Sequence, residues 1–299
     1  MSNTQVRSVS TPSRAARFIA FPVVRIVLGI VAVAAPVILT LGLAQTTLDK
    51  SMRVMWPQLL AAVLCVSCYC YFVRLVEKRP VSELSLTGAW REAGAGVLGV
   101  TMLLAAAMGF LSAIGVYQVT GSNSWTVMIV PIAELVLVAT VEELVFRGVI
   151  FRIVESSLGS WIALALTASI FALAHLPNEG VTVLAIAVTG MAGVMLGAAF
   201  MATGRLWLAM GIHFGWNYML VSVFSVTVSG HQSKGLLQGV LVGPDWLTGG
   251  TYGLEASVVG LAVVSVASAV LIALARKRGH IVRPYWKRQL DTAPGLRSV

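Results

Sequence analysis

Long apolar runs separated by short polar stretches dominate the chain. A helix that crosses a lipid bilayer needs about 20 predominantly apolar residues. By this criterion the sequence predicts eight spanning helices, at 22–46, 54–76, 94–117, 127–150, 160–176, 181–202, 206–227 and 254–275. The pattern therefore predicts an all-α, polytopic membrane protein with about eight transmembrane helices.

The positions of lysine and arginine predict the orientation of these helices. Cytoplasmic loops of membrane proteins carry an excess of both residues. If the N-terminus is cytoplasmic, 18 of the 21 basic residues fall on the cytoplasmic side, and the others are Lys50, Arg53 and Lys234. We therefore expect both termini to lie in the cytoplasm.

The remaining organisation follows from these runs. We expect a disordered basic tail at 1–20, one transmembrane domain at 21–275 and a basic cytoplasmic tail at 276–299. Residues 1–44 can alternatively be interpreted as a signal sequence, but their apolar run is long for one, which favours an uncleaved first helix. The Gly-rich loop 228–253 is either a lid or a linker.

Composition narrows the class of protein. Hydrophobic residues make up 58% of the chain and charged residues 11%, whereas a soluble domain has about 25% charged residues. A net charge of +9 is compatible with nucleic-acid binding, but the charges lie in loops and tails between apolar runs. We expect contact with a lipid bilayer and no nucleic acid. Arginine outnumbers lysine 16 to 5, which favours a bacterial plasma membrane.

The three cysteines lie together in the second apolar run, at Cys65, Cys68 and Cys70. Their odd number and apolar setting predict no disulfide framework. The Cys65-x-x-Cys68 spacing resembles a metal or redox motif, and the alternative is that these are small packing residues.

Three short polar motifs interrupt the apolar runs. They are Glu142-Glu143-x-x-x-Arg147, Phe171-x-x-x-His175 and His213-x-x-x-Asn217. Each charge at the centre of a membrane helix costs about 2.5–3.5 kcal/mol on insertion scales. Ionisable residues in such places indicate a functional site.

The first two motifs are predicted to lie at the same depth. A turn is expected at 157–160, and Glu142 and His175 each lie about 16 residues from it, or about 24 Å at 1.5 Å per residue. Glu143 and Arg147 are four residues apart on one helix face, so they can neutralise each other. Glu142 is then free to act as a general base, and the alternative is an inert buried ion network.

The other motif residues have comparable alternatives. His175 is expected on a terminal helical turn, with Phe171 packed over its ring or shaping a pocket wall; a lone histidine there is otherwise an interfacial residue. His213 and Asn217 share a helix face. Asn217 can orient His213 or donate a hydrogen bond to a developing oxyanion, and the alternative is a polar pair that joins two helices.

Glu142, His175, His213 and Asn217 together suit hydrolysis, because a carboxylate can activate water while imidazole and amide groups stabilise charge. Two histidines and a glutamate also match a catalytic zinc set. A divalent metal such as zinc, held by His175 and His213, is therefore one option. The sequence has no His-Glu-x-x-His motif, so it is not an ordinary zincin.

In their order on successive helices, the three motifs resemble those of the CPBP family of intramembrane proteases. That family groups type II CAAX prenyl endopeptidases with bacteriocin-processing and immunity-type proteins, the Abi family. The resemblance covers a core at about 127–225. Upstream, Glu77-Lys78-Arg79-Pro80 followed by Glu83-Leu84 resembles the basic segment that often precedes this core.

The resemblance implies an intramembrane endopeptidase in which Glu142 activates the attacking water. His175, His213 and Asn217 would surround that water, and Glu143 and Arg147 would support the site. The expected substrate is a membrane-associated protein or peptide. One alternative is a non-catalytic immunity or scaffold protein that binds a partner in the same cavity. Another is a transporter with a proton relay, which the missing inverted repeat disfavours.

Overall fold

The computed structural model describes residues 18–292 and is predominantly helical. The helices are α1 (Pro22–Thr47), α2 (Trp56–Leu75), α3 (Ala89–Ala113), α4 (Val130–Glu143), α5 (Arg152–Leu158), α6 (Ser160–Ala174), α7 (Val183–Thr203), α8 (Trp207–Tyr218), α9 (Asp245–Thr248), α10 (Val258–Lys277) and α11 (Tyr285–Thr292). A π-helical segment, Leu144–Phe151, joins α4 to α5, and a second, Met219–Val223, extends α8. The strands are β1 (Tyr117–Ser122) and β2 (Leu237–Leu241).

Five helices are long and apolar enough to cross a membrane: α1, α2, α3, α7 and α10. The predicted run 160–176 forms the shorter apolar helix α6. The predicted run 127–150 overlaps the first π segment, and the run 206–227 contains the second. The chain is an integral membrane protein with a largely helical fold, as predicted. The count of eight spans and the cytoplasmic placement of both termini stay predictions.

Two features differ from the predicted organisation. The all-α prediction is wrong in one respect, because β1 and β2 form an antiparallel two-stranded sheet in which Tyr117 pairs with Leu241. The two strands are more than 100 residues apart, so no local pattern reveals their pairing. The third helix accordingly ends at Ala113 and not at 117. Of the predicted tails, residues 1–17 and 293–299 lie outside the described residues, and 285–292 form α11.

Ion pairs and hydrogen bonds gather several chain connections at one end of the molecule. Glu77, after α2, accepts hydrogen bonds from Arg25 at the start of α1 and from Arg152 at the start of α5. Arg205, between α7 and α8, donates to the carbonyl oxygen of Thr87 before α3. We call this end, which contains connections 76–88 and 204–206, the basic end. The opposite end contains β1, β2 and connection 175–182, and we call it the sheet end.

Two buried carboxylates organise the basic end. Glu77 and Glu83 are both almost fully buried, and Arg79 donates hydrogen bonds to both. Burial raises the pKa of each carboxyl, but the guanidinium groups around them outweigh it and hold both pKa values below the usual range. Arg152 Nε donates to the Gly148 carbonyl oxygen at 2.8 Å, so the cluster anchors the first π segment.

Glycines allow the helices of the central bundle to approach closely. A Cβ atom on Gly193 would lie 2.9 Å from Ala168 Cα, and one on Gly197 would lie 2.5 Å from Leu164 Cδ1. These two glycines therefore let α7 pack closely against α6. On α8, a Cβ atom on Gly211 would lie 2.2 Å from the Ala93 carbonyl oxygen, which fixes α8 against α3.

Candidate active site

A cavity of about 630 Å³ lies among α4, α6, α7 and α8. Its inner walls are largely apolar, and polar side chains surround its mouth. The four predicted catalytic residues all line it: Glu142, His175, His213 and Asn217. Phe171 also lines it, whereas Glu143 and Arg147 are fully buried beside it. The three motifs thus converge on one cavity.

Glu143 links two of the motifs. Its Oε1 accepts hydrogen bonds from Arg147 Nη1 at 3.0 Å and from His213 Nδ1 at 2.9 Å. Arg147 Nη2 also donates to the Gly193 carbonyl oxygen at 2.9 Å. The four-residue spacing predicted an ion pair between Glu143 and Arg147, and the structure contains it. Both side chains have 0% exposure. Among the described residues, Glu143 and not Asn217 orients the His213 ring.

Glu142 occupies a different environment. Its side chain is 28% exposed, and its Oε2 lies 3.8 Å from His213 Nε2. That distance is too long for a direct hydrogen bond, and a polar gap of this size is the kind that one water molecule bridges. Within the described chain this buried Oε2 atom has no hydrogen-bond partner. Glu142 thus keeps an oxygen available inside the cavity.

His175 caps the C-terminal end of α6, as the sequence predicts. Its Nδ1 lies 2.8 Å from the carbonyl oxygen of Phe171. A carbonyl oxygen only accepts hydrogen bonds, so Nδ1 carries the proton and Nε2 of the neutral ring is free to accept one. The Phe171 ring packs on the His175 ring, with centroids 4.7 Å apart, and lies 5.1 Å from Cζ of Arg147.

A π segment overlaps the first polar motif, and another closely follows the third. The first begins at Leu144, directly after Glu143, and contains Arg147. The second begins at Met219, two residues after Asn217. Such segments occur often at functional sites, where the extra residue per turn changes which side chains share a face. The sequence carries no pattern that would have indicated them.

Glu255, which belongs to none of the three sequence motifs, links the residues around the mouth of the cavity. Its Oε1 accepts a hydrogen bond from Trp216 Nε1 at 2.8 Å, and its Oε2 accepts two from the backbone N–H and hydroxyl of Ser229, each at 2.7 Å. Residues 228 and 229 and 231–234 line the mouth. An acid at the edge of an apolar run was the available signal, but its partners are distant in sequence.

The donor set expected for zinc is not assembled in the described part of the chain. No three His, Cys, Asp or Glu side chains there are placed to hold one metal ion, whereas a catalytic zinc site has three protein ligands. The metal option stays a prediction, and the reaction proposed for the site uses the side chains alone. Cys65, Cys68 and Cys70 are all free thiols.

Comparison with known families assigns the part of the chain that carries this geometry. Residues 123–219 match the family model for type II CAAX prenyl endopeptidase Rce1-like proteins. This segment belongs to the Rce1-like family. It contains all three motifs and agrees closely with the core predicted at 127–225. No curated protein and no solved structure matches the chain.

At the family level, the Rce1-like segment indicates a protease-like hydrolase of membranes. Its substrate is expected to be associated with the membrane, and its surroundings are lipid. Glu255 and the mouth residues 228–234 lie outside the Rce1-like segment. The family match therefore covers the polar motifs and leaves the mouth as a separate feature of this chain.

Proposed function

We propose that the protein is an intramembrane endopeptidase that hydrolyses a peptide bond in a membrane-associated protein or peptide. The observation that carries the proposal is the 3.8 Å gap between Glu142 Oε2 and His213 Nε2, inside a largely apolar cavity. Both residues belong to the Rce1-like segment. A carboxylate and an imidazole whose reactive atoms are 3.8 Å apart on one cavity wall can both bond to a single water molecule beside them, which suits water activation.

In the first step, a water molecule lies in the cavity within hydrogen-bond distance of both Glu142 Oε2 and His213 Nε2. Because Glu143 accepts a hydrogen bond from His213 Nδ1, the Nε2 atom of the neutral ring can accept a hydrogen bond from one water proton. Glu142 removes the other proton as the water oxygen attacks the scissile carbonyl carbon. General bases of this kind contribute about 10²–10⁴-fold to the rate.

In the second step, the tetrahedral intermediate carries a negative oxygen. The Asn217 side-chain amide lines the same cavity as His213 and donates a hydrogen bond to that oxygen. The proton held by Glu142 passes to the leaving nitrogen as the carbon–nitrogen bond breaks, which gives a carboxylic acid and an amine. The carboxylic acid then loses its proton to Glu142 or to water and leaves as a carboxylate. His175, with Nε2 free to accept, holds a backbone N–H of the bound substrate.

The shape of the cavity indicates the kind of peptide. A volume of about 630 Å³ lies within the usual range for ligand sites, about 300–1,000 Å³. The walls beside Glu142 include Leu135, Phe146 and Met195. We therefore expect apolar side chains next to the scissile bond, and a prenylated cysteine peptide and an unmodified apolar peptide are the two informative probes.

The test is peptide hydrolysis by the purified protein in liposomes. Internally quenched peptides, farnesylated and unmodified, would be incubated with the wild type, with Glu142→Gln and with Asp49→Asn. Asp49 is an exposed acid at the sheet end that does not line the cavity, so it provides the matched control. We expect Glu142→Gln to lower the rate at least about 10²-fold and Asp49→Asn to leave it unchanged.

Equal hydrolysis by the wild type and Glu142→Gln would contradict the proposal. If no peptide is cut while Glu142→Gln and the wild type bind the same peptide with equal affinity, the non-catalytic scaffold alternative is supported instead.

A further inference from the structure

The two ends of the molecule differ strongly in basic residues. Of the seventeen lysines and arginines among the described residues, thirteen lie at the basic end. The sheet end has three, Lys50, Arg53 and Lys234, and Arg147 is buried between the ends. Since an excess of lysine and arginine beside membrane helices marks the cytoplasmic side, the basic end is the cytoplasmic one.

The cavity opens at the other end. Its mouth includes Glu134 near the start of α4, Asn178 after α6 and Glu255 before α10. The other end of each of these helices lies at the basic end. The helix that begins as α4 ends at Leu158, beside the first residue of α6. After α10, Arg278 donates a hydrogen bond to the carbonyl oxygen of Ala202 at the end of α7. The segment 228–234 completes the mouth.

Buried side chains close the path from the basic end to Glu142. The Glu143–Arg147 pair lies between the basic end and Glu142 and has 0% exposure. The first π segment also lies there, and its residues Leu144, Val149 and Phe151 are fully buried. Beyond these, the cluster around Glu77 and Glu83 closes the basic end. In the described structure, water and substrate therefore reach Glu142 through the mouth at the sheet end.

From these two observations we infer that the cavity opens on the side of the membrane away from the cytoplasm. If the protein is the peptidase proposed above, its substrates are peptide segments exposed on that side of the membrane. A translocated peptide and the outer end of a membrane protein are two examples. The apolar walls take the apolar side chains, and the polar mouth takes the hydrophilic remainder. A lipidated peptide confined to the cytoplasm would approach the closed end.

Thiol labelling in a bacterial expression host tests this inference. In a chain with Cys65, Cys68 and Cys70 replaced by alanine, a single cysteine would be introduced by Gln232→Cys or by Thr87→Cys. Both native residues are exposed and lie in loops, Gln232 at the mouth and Thr87 at the basic end. Spheroplasts would be treated with a membrane-impermeant maleimide before and after permeabilisation.

We expect Gln232→Cys to be labelled fully in intact spheroplasts and Thr87→Cys only after permeabilisation. The reverse pattern, or equal labelling of both variants before permeabilisation or only after it, would overturn the inference. The chain with Cys65, Cys68 and Cys70 replaced by alanine, and no cysteine introduced, gives the background labelling.

A second measurement avoids the cysteine variants. A fluorescent protein that matures only in the cytoplasm, fused after residue 299, should fluoresce, because α10 ends at the basic end. A dark but full-length fusion would overturn the inference. Neither experiment requires catalysis, so a failure of the proposed peptidase activity would be recognised separately.

Discussion

Glu142 and Glu143 are adjacent in sequence but have opposite surroundings. Glu143 is fully buried and accepts hydrogen bonds from Arg147 and His213, whereas Glu142 has an oxygen without a partner among the described residues and faces the cavity. The same substitution should therefore have different effects at the two positions. We expect the substitution of Glu143 to lower the free energy of unfolding and the substitution of Glu142 to lower the rate of the proposed reaction.

We predict that Glu143→Gln destabilises the protein by about 3–5 kcal/mol, because it leaves the buried Arg147 charge without its counter-ion. Glu142→Gln should unfold at the wild-type temperature, since no ion pair within 3.5 Å depends on it. Thermal unfolding in detergent measures both. The double variant Glu143→Gln, Arg147→Met provides the control and should recover part of the lost unfolding free energy. Equal unfolding temperatures for all variants would contradict the prediction.

At the scale of elements, the close packing of α6 and α7 positions the site, because Arg147 bonds to the carbonyl oxygen of Gly193 on α7. We predict that Gly193→Ala costs about 1–3 kcal/mol of unfolding free energy. The added Cβ atom would lie 2.9 Å from the Ala168 Cα atom, which is backbone and cannot rotate away. The measurement is thermal unfolding together with the rate of peptide hydrolysis.

Gly190→Ala is the matched control on the same helix. Its Cβ atom would lie 3.6 Å from Ala172 Cβ, an ordinary contact, so the variant should be neutral or gain up to about 1 kcal/mol from the loss of a helical glycine. Equal destabilisation by both variants would show that the close approach at Gly193 is not what limits packing.

The sequence predicted those features that depend on local pattern. Helix periodicity placed Glu143 beside Arg147, and apolar length predicted α1, α2, α3, α7 and α10. Equal distances from a turn predicted that Glu142 and His175 lie at the same depth. The turn is found at Gly159, and both residues line one cavity. These inferences need only the geometry of a single helix or a single hairpin.

Features set by tertiary contacts were missed. The bond between Glu143 and His213 joins residues 70 apart, and Glu255 contacts Trp216 across 39 residues. The sheet joins β1 to a strand in a loop more than 100 residues away. The π segment after Glu143 depends on which helix hydrogen bonds form, and several residue types adopt it equally well.

On the scale of the whole molecule, the charged cluster at the basic end ties α1 and α2 to the π segment that carries Arg147. Glu83 is part of this cluster, and Arg79 and Tyr69 donate hydrogen bonds to it. Because burial raises its pKa less than these partners lower it, the folded state binds a proton on Glu83 more weakly than the unfolded state does.

The stabilisation from Glu83 is therefore complete above its unfolded pKa of about 4.3 and is lost as the pH falls through the lower folded value. We predict that Glu83→Gln is less stable than the wild type at pH 7, and that the difference shrinks below about pH 4. Unfolding temperatures measured from pH 7 to pH 3 test this. A difference that stays constant over that range, with Asp49→Asn as the reference, would contradict it.

The three hydrogen bonds that Glu255 accepts have a consequence for how such proteins diversify. They fasten residues 228–234 to Trp216, while the residues proposed for the chemistry all lie between 142 and 217. The mouth and the residues proposed for the chemistry thus lie on consecutive stretches of chain. Exchange of 224–256 between relatives, with Glu255 and Ser229 retained, should change which hydrophilic parts of a peptide the mouth accepts, while the apolar walls and the proposed catalytic residues stay the same.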